Sequence, residues 1–255
     1  MLPGCYMTNP QPTTSDPAEI QRFNQLAATW WNPDGPMWPL HLLNRFRLEL
    51  ILNVLHDQGT IDRYQPKPLA GKSVLDIGCG GGILSEALCR LGAQVTATDT
   101  AANSIKIAKQ HATGAKLDIH YHCTDIASLS EQFDLVFNLE VVEHVTDLRA
   151  FMSASCERVA DGGSLFLSTI NKSLKSYLFA IIGAEYVLRL LPKGTHRWSK
   201  FVTPHIMQNI LSEQGLEVFW RSGVSLNPFN KQYKLVQSEA VNYMMAANKP
   251  RDLSQ

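Results

Sequence analysis

The sequence predicts a doubly wound α/β fold, in which a mostly parallel sheet has helices packed on both of its faces. Three observations lead to this prediction. Short apolar runs alternate with helix-like segments through the middle of the chain, a glycine-rich turn follows the first of these runs, and Asp99 ends the second. In such a sheet a ligand binds beside this kind of turn, at the carboxyl ends of the strands.

The elements follow in order along the chain. Residues 1–15 are predicted to be a disordered tail, and residues 16–70 to form an N-terminal addition of helices with apolar residues at helical spacing. Residues 172–202 are predicted to be an insertion, after which Thr203 caps a helix that runs to about Glu213. Strands are predicted at residues 73–77, 94–98, 118–122, 133–138, 163–169, 217–221 and 234–244, with helices between the first five.

The composition is that of a globular protein, with 45% hydrophobic and 18% charged residues, and it predicts a single domain over residues 16–255. The chain carries 23 basic and 23 acidic residues, so no overall positive field favours nucleic acid as a partner. Its five cysteines show no C-x-x-C pattern, which indicates reduced thiols in a cytoplasmic protein.

The glycine-rich turn has the form D-x-G-x-G-x-G over residues 76–82. Glycines such as Gly78 and Gly80 let a ligand lie against bare backbone, and the helix start that follows offers unpaired N–H groups. Because Ile83 stands where a dinucleotide site has its third glycine, the turn favours a ligand with a ribose and an amino-acid arm but no phosphate. Three alternatives stay open: a nicotinamide-dependent oxidoreductase, a non-catalytic binding module, and a tight turn without a ligand.

Two aspartates follow strands at the same edge of the predicted sheet. Asp99 stands about 20 residues after the glycines, where doubly wound folds place the carboxylate that binds the ribose hydroxyls. Asp125 follows the third strand. It is either an acceptor for an adenine amino group or the N-cap of the next helix, and the sequence favours neither.

A further polar cluster follows the fourth strand. Glu140, Glu143 and His144 stand at positions i, i+3 and i+4, so on a helical turn they share one face. Two carboxylates and an imidazole can bind a divalent metal or accept a proton, and the alternative is a solvated acidic helix start. The place of the cluster at the mouth of the cleft favours a catalytic role, with His144 as the best base and Glu143 beside it.

Five motifs spread along the chain carry a resemblance to a known family. They are the glycine turn, the run Glu140–Val145, Trp-Trp-Asn-Pro at residues 30–33, Pro-Lys-Gly-Thr-His at residues 192–196 and Val-Asn-Tyr-Met at residues 241–244. Together they resemble the ubiquinone biosynthesis O-methyltransferases, of the class I S-adenosylmethionine-dependent methyltransferases, over nearly the whole chain. The resemblance implies a Rossmann-like methyltransferase sheet with an antiparallel last strand.

The resemblance also implies which residues hold the methyl donor, S-adenosylmethionine. By motif, Arg47, Gly78, Asp99 and Leu139 would bind it. Arg47 would pair with the methionine carboxylate, for which a guanidinium is suited because it can bind bidentately. Leu139 would pack on the adenine.

A metal and a substrate class are implied in the same way. Glu140, Glu143 and His144 match the family's E-x-x-E-H metal site, for which the family implies Mg²⁺, although a histidine ligand is more typical of zinc or manganese. The implied substrates are a polyprenyl catechol and demethylubiquinol, which covers both O-methylation steps of ubiquinone biosynthesis. Other ubiquinone biosynthesis proteins are further implied partners.

The predicted insertion contains an apolar run over residues 177–184 with basic residues on both sides. This run is shorter than the ~20 residues needed to span a bilayer. An apolar helical face with basic flanks is typical of a segment that lies in the interface of an anionic membrane, and the alternative is a lid over the substrate cleft. Because the implied substrate carries a prenyl tail, we expect a cytoplasmic enzyme with peripheral association at the inner face of the membrane.

Overall fold

The computed structural model describes residues 14, 16–35, 37–171, 202–227 and 230–251. The predicted disordered tail therefore lies outside the described residues except for Thr14. The predicted insertion lies outside them except for Val202, so its role as a lid or membrane contact stays a prediction.

An eight-stranded sheet forms the centre of the described structure. Across the sheet the strands lie in the order β3-β2-β1-β4-β5-β8-β6-β7. Neighbours from β3 to β5 are parallel, whereas β8 is antiparallel to both β5 and β6, and β7 is antiparallel to β6. The doubly wound sheet and its antiparallel last strand are thus confirmed. In chain order the strands are β1 (Ser73–Ile77), β2 (Gln94–Asp99), β3 (Ile119–Cys123), β4 (Phe133–Leu139), β5 (Val159–Ile170), β6 (Glu217–Asn227), β7 (Gln232–Val236) and β8 (Asn242–Asn248).

The prediction of one continuous strand over residues 234–244 is wrong. β7 ends at Val236 and β8 begins at Asn242. The reason is topological, because β7 pairs with one edge of β6 and β8 pairs with the other edge. The chain has to leave the sheet and cross β6 between them, which a continuous strand cannot do.

The start of β5 also differs from the prediction of residue 163, because the strand already begins at Val159. Its register against β4 shifts between Phe133 and Leu135, where the pairing residue changes from Val159 to Ser164. A Cβ atom on Gly163 would lie 2.8 Å from the carbonyl oxygen of Ala160. This irregular stretch therefore requires glycine, and such glycines favoured a later start for the strand.

Six α-helices surround the sheet in the described residues. Two precede the sheet, as the N-terminal addition predicted, and the helix capped by Thr203 begins and ends as expected. Short 3₁₀ turns occupy Ala27–Thr29, Ile126–Ser128 and Val142–His144. The α-helices are α1 (Pro17–Leu26), α2 (Trp38–Asp57), α3 (Ile83–Arg90), α4 (Ala102–Gly114), α5 (Leu148–Glu157) and α6 (Pro204–Glu213).

Alternate residues of the central strands face two separate cores. Val74 and Leu135 pack with α2, α3 and α4 on one face, and Leu75 and Val136 pack with α5 and α6 on the other. All four are completely buried, which follows from the two-residue period of a strand that is covered on both faces. None of the described helices combines the length and the apolar character needed to cross a membrane.

Candidate functional site

Two adjoining cavities lie at the carboxyl ends of the parallel strands, near the switch in strand order between β1 and β4. The first, of about 90 Å³, lies at the ends of β1, β2 and β3 and is covered by α1. The second, of about 190 Å³, lies between α1, α2 and the glycine turn. Phe23, Trp30, Gly78 and His144 line both of them. This is the place where doubly wound sheets bind their ligands.

Protein side chains take up much of the space that the glycines of the turn leave open. A Cβ atom on Gly78 would lie 2.6 Å from the side chain of Val141, and one on Gly80 would lie 2.5 Å from the Trp30 ring. Both glycines also have positive φ, at 68° and 54°. The expectation of bare backbone therefore needs a correction, since the turn is glycine-rich partly because Trp30 packs on it.

Asp99 connects the end of β2 to the glycine turn and lines the first cavity. Its carboxylate oxygens accept hydrogen bonds from the backbone N–H of Gly80 at 2.9 Å and of Ala101 at 2.7 Å. Burial raises the pKa of this carboxyl, and the two N–H donors oppose that shift. The carboxylate is thus held in a defined position at the edge of the cavity.

Asp125 is the N-cap of the 3₁₀ turn after β3, because its Oδ1 accepts from the N–H of Ala127 at 3.1 Å. Its Oδ2 accepts from both the N–H and the hydroxyl of Thr14, each at 2.8 Å. The carbonyl of Thr14 accepts in turn from Thr146. The capping alternative is therefore confirmed, and Thr14 shares the oxygen that was predicted to meet an adenine amino group.

Arg47 crosses from α2 to the ends of β4 and β5 and is almost completely buried. Its guanidinium pairs with Glu140 and donates to the hydroxyl of Ser168 at 2.8 Å. The Nε of Arg47 has no hydrogen-bond partner among the described residues. Arg47 lines the second cavity, and its Nε is a buried donor whose hydrogen-bonding capacity the described residues do not use.

Leu139 also lines the second cavity, whereas Asp99 and Asp125 line the first. Asp125 and Leu139, the two side chains predicted to contact adenine, therefore line different members of this pair of adjoining cavities. Leu139 shares the second cavity with Arg47.

The prediction that Glu140, Glu143 and His144 share a helical face is wrong. Only Val142–His144 form a helical turn, and it is a 3₁₀ turn, while Glu140 precedes it with a φ of 61°. A residue with this left-handed backbone conformation cannot be part of a right-handed α-helix, so Glu140 does not share a helical face with Glu143 and His144.

Each of these three side chains contacts a different partner. Glu140 accepts from Arg47 and from Ser168. Glu143 is buried and accepts from the hydroxyl of Thr169 at 2.9 Å, and burial, with Glu140 nearby, raises its pKa to about 7. His144 Nδ1 lies 3.1 Å from a carboxylate oxygen of Glu19.

A metal site is not formed by this arrangement. Within the described part of the chain, no three His, Cys, Asp or Glu side chains come together in a way that could hold a metal ion. The donors predicted as ligands are each engaged elsewhere, with Arg47, Thr169 and Glu19. The residues present therefore do not fit a metal in this conformation.

Several residues of the site were not predicted from the sequence. Glu19 and Phe23 come from α1, and Trp30 comes from the turn after it. Asp76 lies in β1, accepts from the hydroxyl of Ser85 at 2.5 Å and lines the second cavity, and burial raises its pKa to about 7. A signal existed for Asp76, because a carboxylate within an apolar strand is unusual unless it has a partner.

Comparisons with known proteins identify the family of the chain. A family model described as a methyltransferase domain matches residues 47–219. The ubiquinone biosynthesis O-methyltransferase of Brucella anthropi is 45% identical over 247 residues, covering 96% of this chain and 100% of the relative. The protein of the same name from a Methylobacterium species is 44% identical and covers 96% of this chain and 99% of the relative.

Solved structures show the same fold at low sequence identity. Magnesium protoporphyrin IX methyltransferase from Synechocystis, with bound S-adenosylmethionine, matches with a TM-score of 0.63 and 18% identity, covering 95% of this chain and 100% of that chain. The N-methyltransferase NodS from Bradyrhizobium japonicum matches with a TM-score of 0.58 and 20% identity, covering 92% and 98%. At these identities the likeness shows the fold alone.

Proposed function

The chain belongs to the ubiquinone biosynthesis O-methyltransferase family, and from this premise we propose that it transfers a methyl group from S-adenosylmethionine to phenolic hydroxyls of ubiquinone precursors. We further propose that it acts on both a polyprenyl catechol and a demethylubiquinol. The observation that carries the proposal is the lining of the two adjoining cavities, with carboxylates at one end and a buried arginine at the other.

The donor carries an adenosine at one end and an amino acid at the other, and the two cavities offer matching groups. Asp99 is proposed to accept hydrogen bonds from the ribose hydroxyls. Asp125 is proposed to accept from the adenine amino group through Oδ2, which at the same time accepts from Thr14. Arg47 is proposed to bind the carboxylate of the methyl donor, and its unpaired Nε supports this role because a carboxylate would supply the missing acceptor. Gly78 and Gly80 supply the backbone of the turn between them.

Carboxylate binding at Arg47 competes with an existing contact. Glu140 already pairs with this guanidinium and also accepts from Ser168. The carboxylate of S-adenosylmethionine would either accept from the N–H groups of Arg47 that Glu140 and Ser168 leave unused or displace Glu140. In either case Ser168 keeps the guanidinium in place, because its hydroxyl accepts from Arg47 whether or not S-adenosylmethionine is bound.

Proton removal is the second requirement, because a free phenol has a pKa of about 10. Bound S-adenosylmethionine supplies an activated methyl group, so the chain has to align the acceptor oxygen and take its proton. His144 lines both cavities and is the proposed base. The Glu19 carboxylate next to Nδ1 favours the tautomer with the proton on Nδ1, which leaves Nε2 as the acceptor.

Membrane association through residues 172–200 stays a proposal that rests on the sequence, whereas the predicted metal site is not formed among the described residues. The separated arrangement of Glu140, Glu143 and His144 predicts that turnover is unaffected by EDTA. Loss of turnover in EDTA with recovery in Mg²⁺ would contradict that arrangement and support a metal site formed by the same three residues.

The proposed function is tested by methyl transfer from radiolabelled S-adenosylmethionine to a short-chain prenyl catechol and to a short-chain demethylubiquinol. We expect label in both products, each lost when His144 is replaced by alanine. Label in only one product would remove the proposal of two steps. Label in neither, together with binding of NADH, would favour the oxidoreductase alternative.

A further inference from the structure

We infer that Phe23 and Trp30 of the N-terminal addition form an aromatic wall that recognises the positive charge of the methyl donor. This wall would select the sulfonium donor over the neutral thioether that remains after transfer. The inference rests on the proposed function for the identity of the donor, but it is tested by binding alone.

The position of the wall follows from the two cavities. Asp99 lines only the first cavity and Arg47 lines only the second. A ligand with a ribose at one and a carboxylate at the other has to pass the junction, which is lined by Phe23, Trp30, Gly78 and His144. The sulfur joins the ribose to the amino-acid arm, so it belongs at this junction.

The two aromatic rings lie together at the junction in a near-parallel, stacked arrangement. Their centroids are 6.5 Å apart and their planes are inclined by 17°. Cations are attracted to ring faces within about 6 Å of the centroid. The guanidinium of Arg22 lies 5.7 Å from the centroid of Phe23, so this ring already contacts one cation, and a bound sulfonium would share the aromatic pair with it or displace it.

Trp30 is fixed before any ligand arrives. Its ring packs on the backbone of Gly80 and Gly81, and its Nε1 donates to the hydroxyl of Ser104 at 3.1 Å. The carbonyl of Trp30 contacts the Nε2 of His41 at 2.8 Å. Because these side chains are already in position, little conformational entropy is lost when a ligand binds. The attraction of the rings for a cation therefore contributes almost fully to the binding free energy.

The charge around the first cavity favours a cation in the same way. Carboxylates of Asp16, Glu19, Asp99 and Asp125 line it, and no described lysine or arginine does. A cavity of this sign raises the local concentration of a positively charged ligand. After methyl transfer the sulfur is neutral, so both contributions disappear and release of the product is favoured.

The experiment measures binding of three ligands by calorimetry: S-adenosylmethionine, S-adenosylhomocysteine, and sinefungin, which carries an amine in place of the sulfonium. In Phe23→Leu we expect affinity for the two cationic ligands to fall about threefold to tenfold, while affinity for S-adenosylhomocysteine changes less than about twofold. Phe23→Tyr keeps the ring and is expected to keep the preference for the cationic ligands.

The matched control is Phe46→Leu. Phe46 is in α2, stacks on Tyr233 with centroids 6.0 Å apart, and lines neither cavity, so all three affinities are expected to stay unchanged. An equal loss for all three ligands in Phe23→Leu, or no loss at all, would overturn the inference. Wild-type protein that prefers the cationic ligands but methylates neither acceptor would overturn the proposed function and leave the aromatic wall in place.

Discussion

Replacing Asp99 with alanine is the sharpest test of the proposed donor site. Its two carboxylate oxygens accept from the N–H groups of Gly80 and Ala101, and the side chain lines the first cavity. The proposed function adds the two ribose hydroxyls of the donor to these contacts. The substitution therefore removes a charged acceptor that is already held at the edge of the cavity.

The magnitude can be worked from these contacts. Hydrogen bonds to a charged group contribute about 1.5–3 kcal/mol, and 1.4 kcal/mol corresponds to a factor of ten, so we expect the dissociation constant for S-adenosylmethionine to rise about tenfold to a hundredfold. Two backbone N–H groups lose their acceptor in the variant. Because the adjacent cavity admits water to them, we expect the loss of stability to be about 2 kcal/mol or less and Tm to fall by about 8 °C or less.

Calorimetry with S-adenosylmethionine gives the affinity, and thermal unfolding without ligand shows that the variant is folded. Asp118→Ala is the control, because Asp118 is exposed and lies just before β3, far along the strand from its carboxyl end. Its donor affinity is expected to equal that of the wild type. A folded Asp99→Ala variant that binds the donor as tightly as the wild type would refute the assignment of Asp99.

Three further outcomes are expected. His144→Ala should lower turnover at least about a hundredfold while donor affinity changes less than about threefold, and full turnover would exclude His144 as the base. Asp76 has its pKa raised to about 7 by burial, so the folded protein binds a proton that the unfolded chain releases, and stability should fall as pH rises from about 4 to 7. Thermal unfolding of Asp76→Asn should show a flatter profile over this range, with the remaining slope coming from Glu143, whose pKa is raised in the same way, and an unchanged slope would contradict the assignment to Asp76. The full chain should co-sediment with anionic vesicles but not with neutral ones. The sedimented fraction should fall at high salt and when Lys172, Lys175 and Lys193 are replaced by glutamate. No sedimentation at low salt would leave only the lid alternative.

Much of the fold could be predicted because its signals are local. The first five strands alternate with helices and are bounded by turns. The start of α6 is indicated by Thr203, whose hydroxyl accepts from the N–H three residues later. The split between β7 and β8 was not predictable in this way. Both stretches have strand-like sequences, and only the pairing of each with a different edge of β6 separates them.

The sequence by itself determined the edge of the sheet at which the site lies, because Gly78 and Asp99 end strands whose direction follows from the alternating pattern. Only the tertiary structure decided what each side chain contacts there. Arg47 pairs with Glu140, 93 positions away, and α1 brings Glu19 to His144, so the side chains that stand together in the sequence are drawn to separate partners. The physical reason is that spacing along a chain predicts a shared face only where the backbone is helical. At Glu140 the positive φ means that the backbone is not helical.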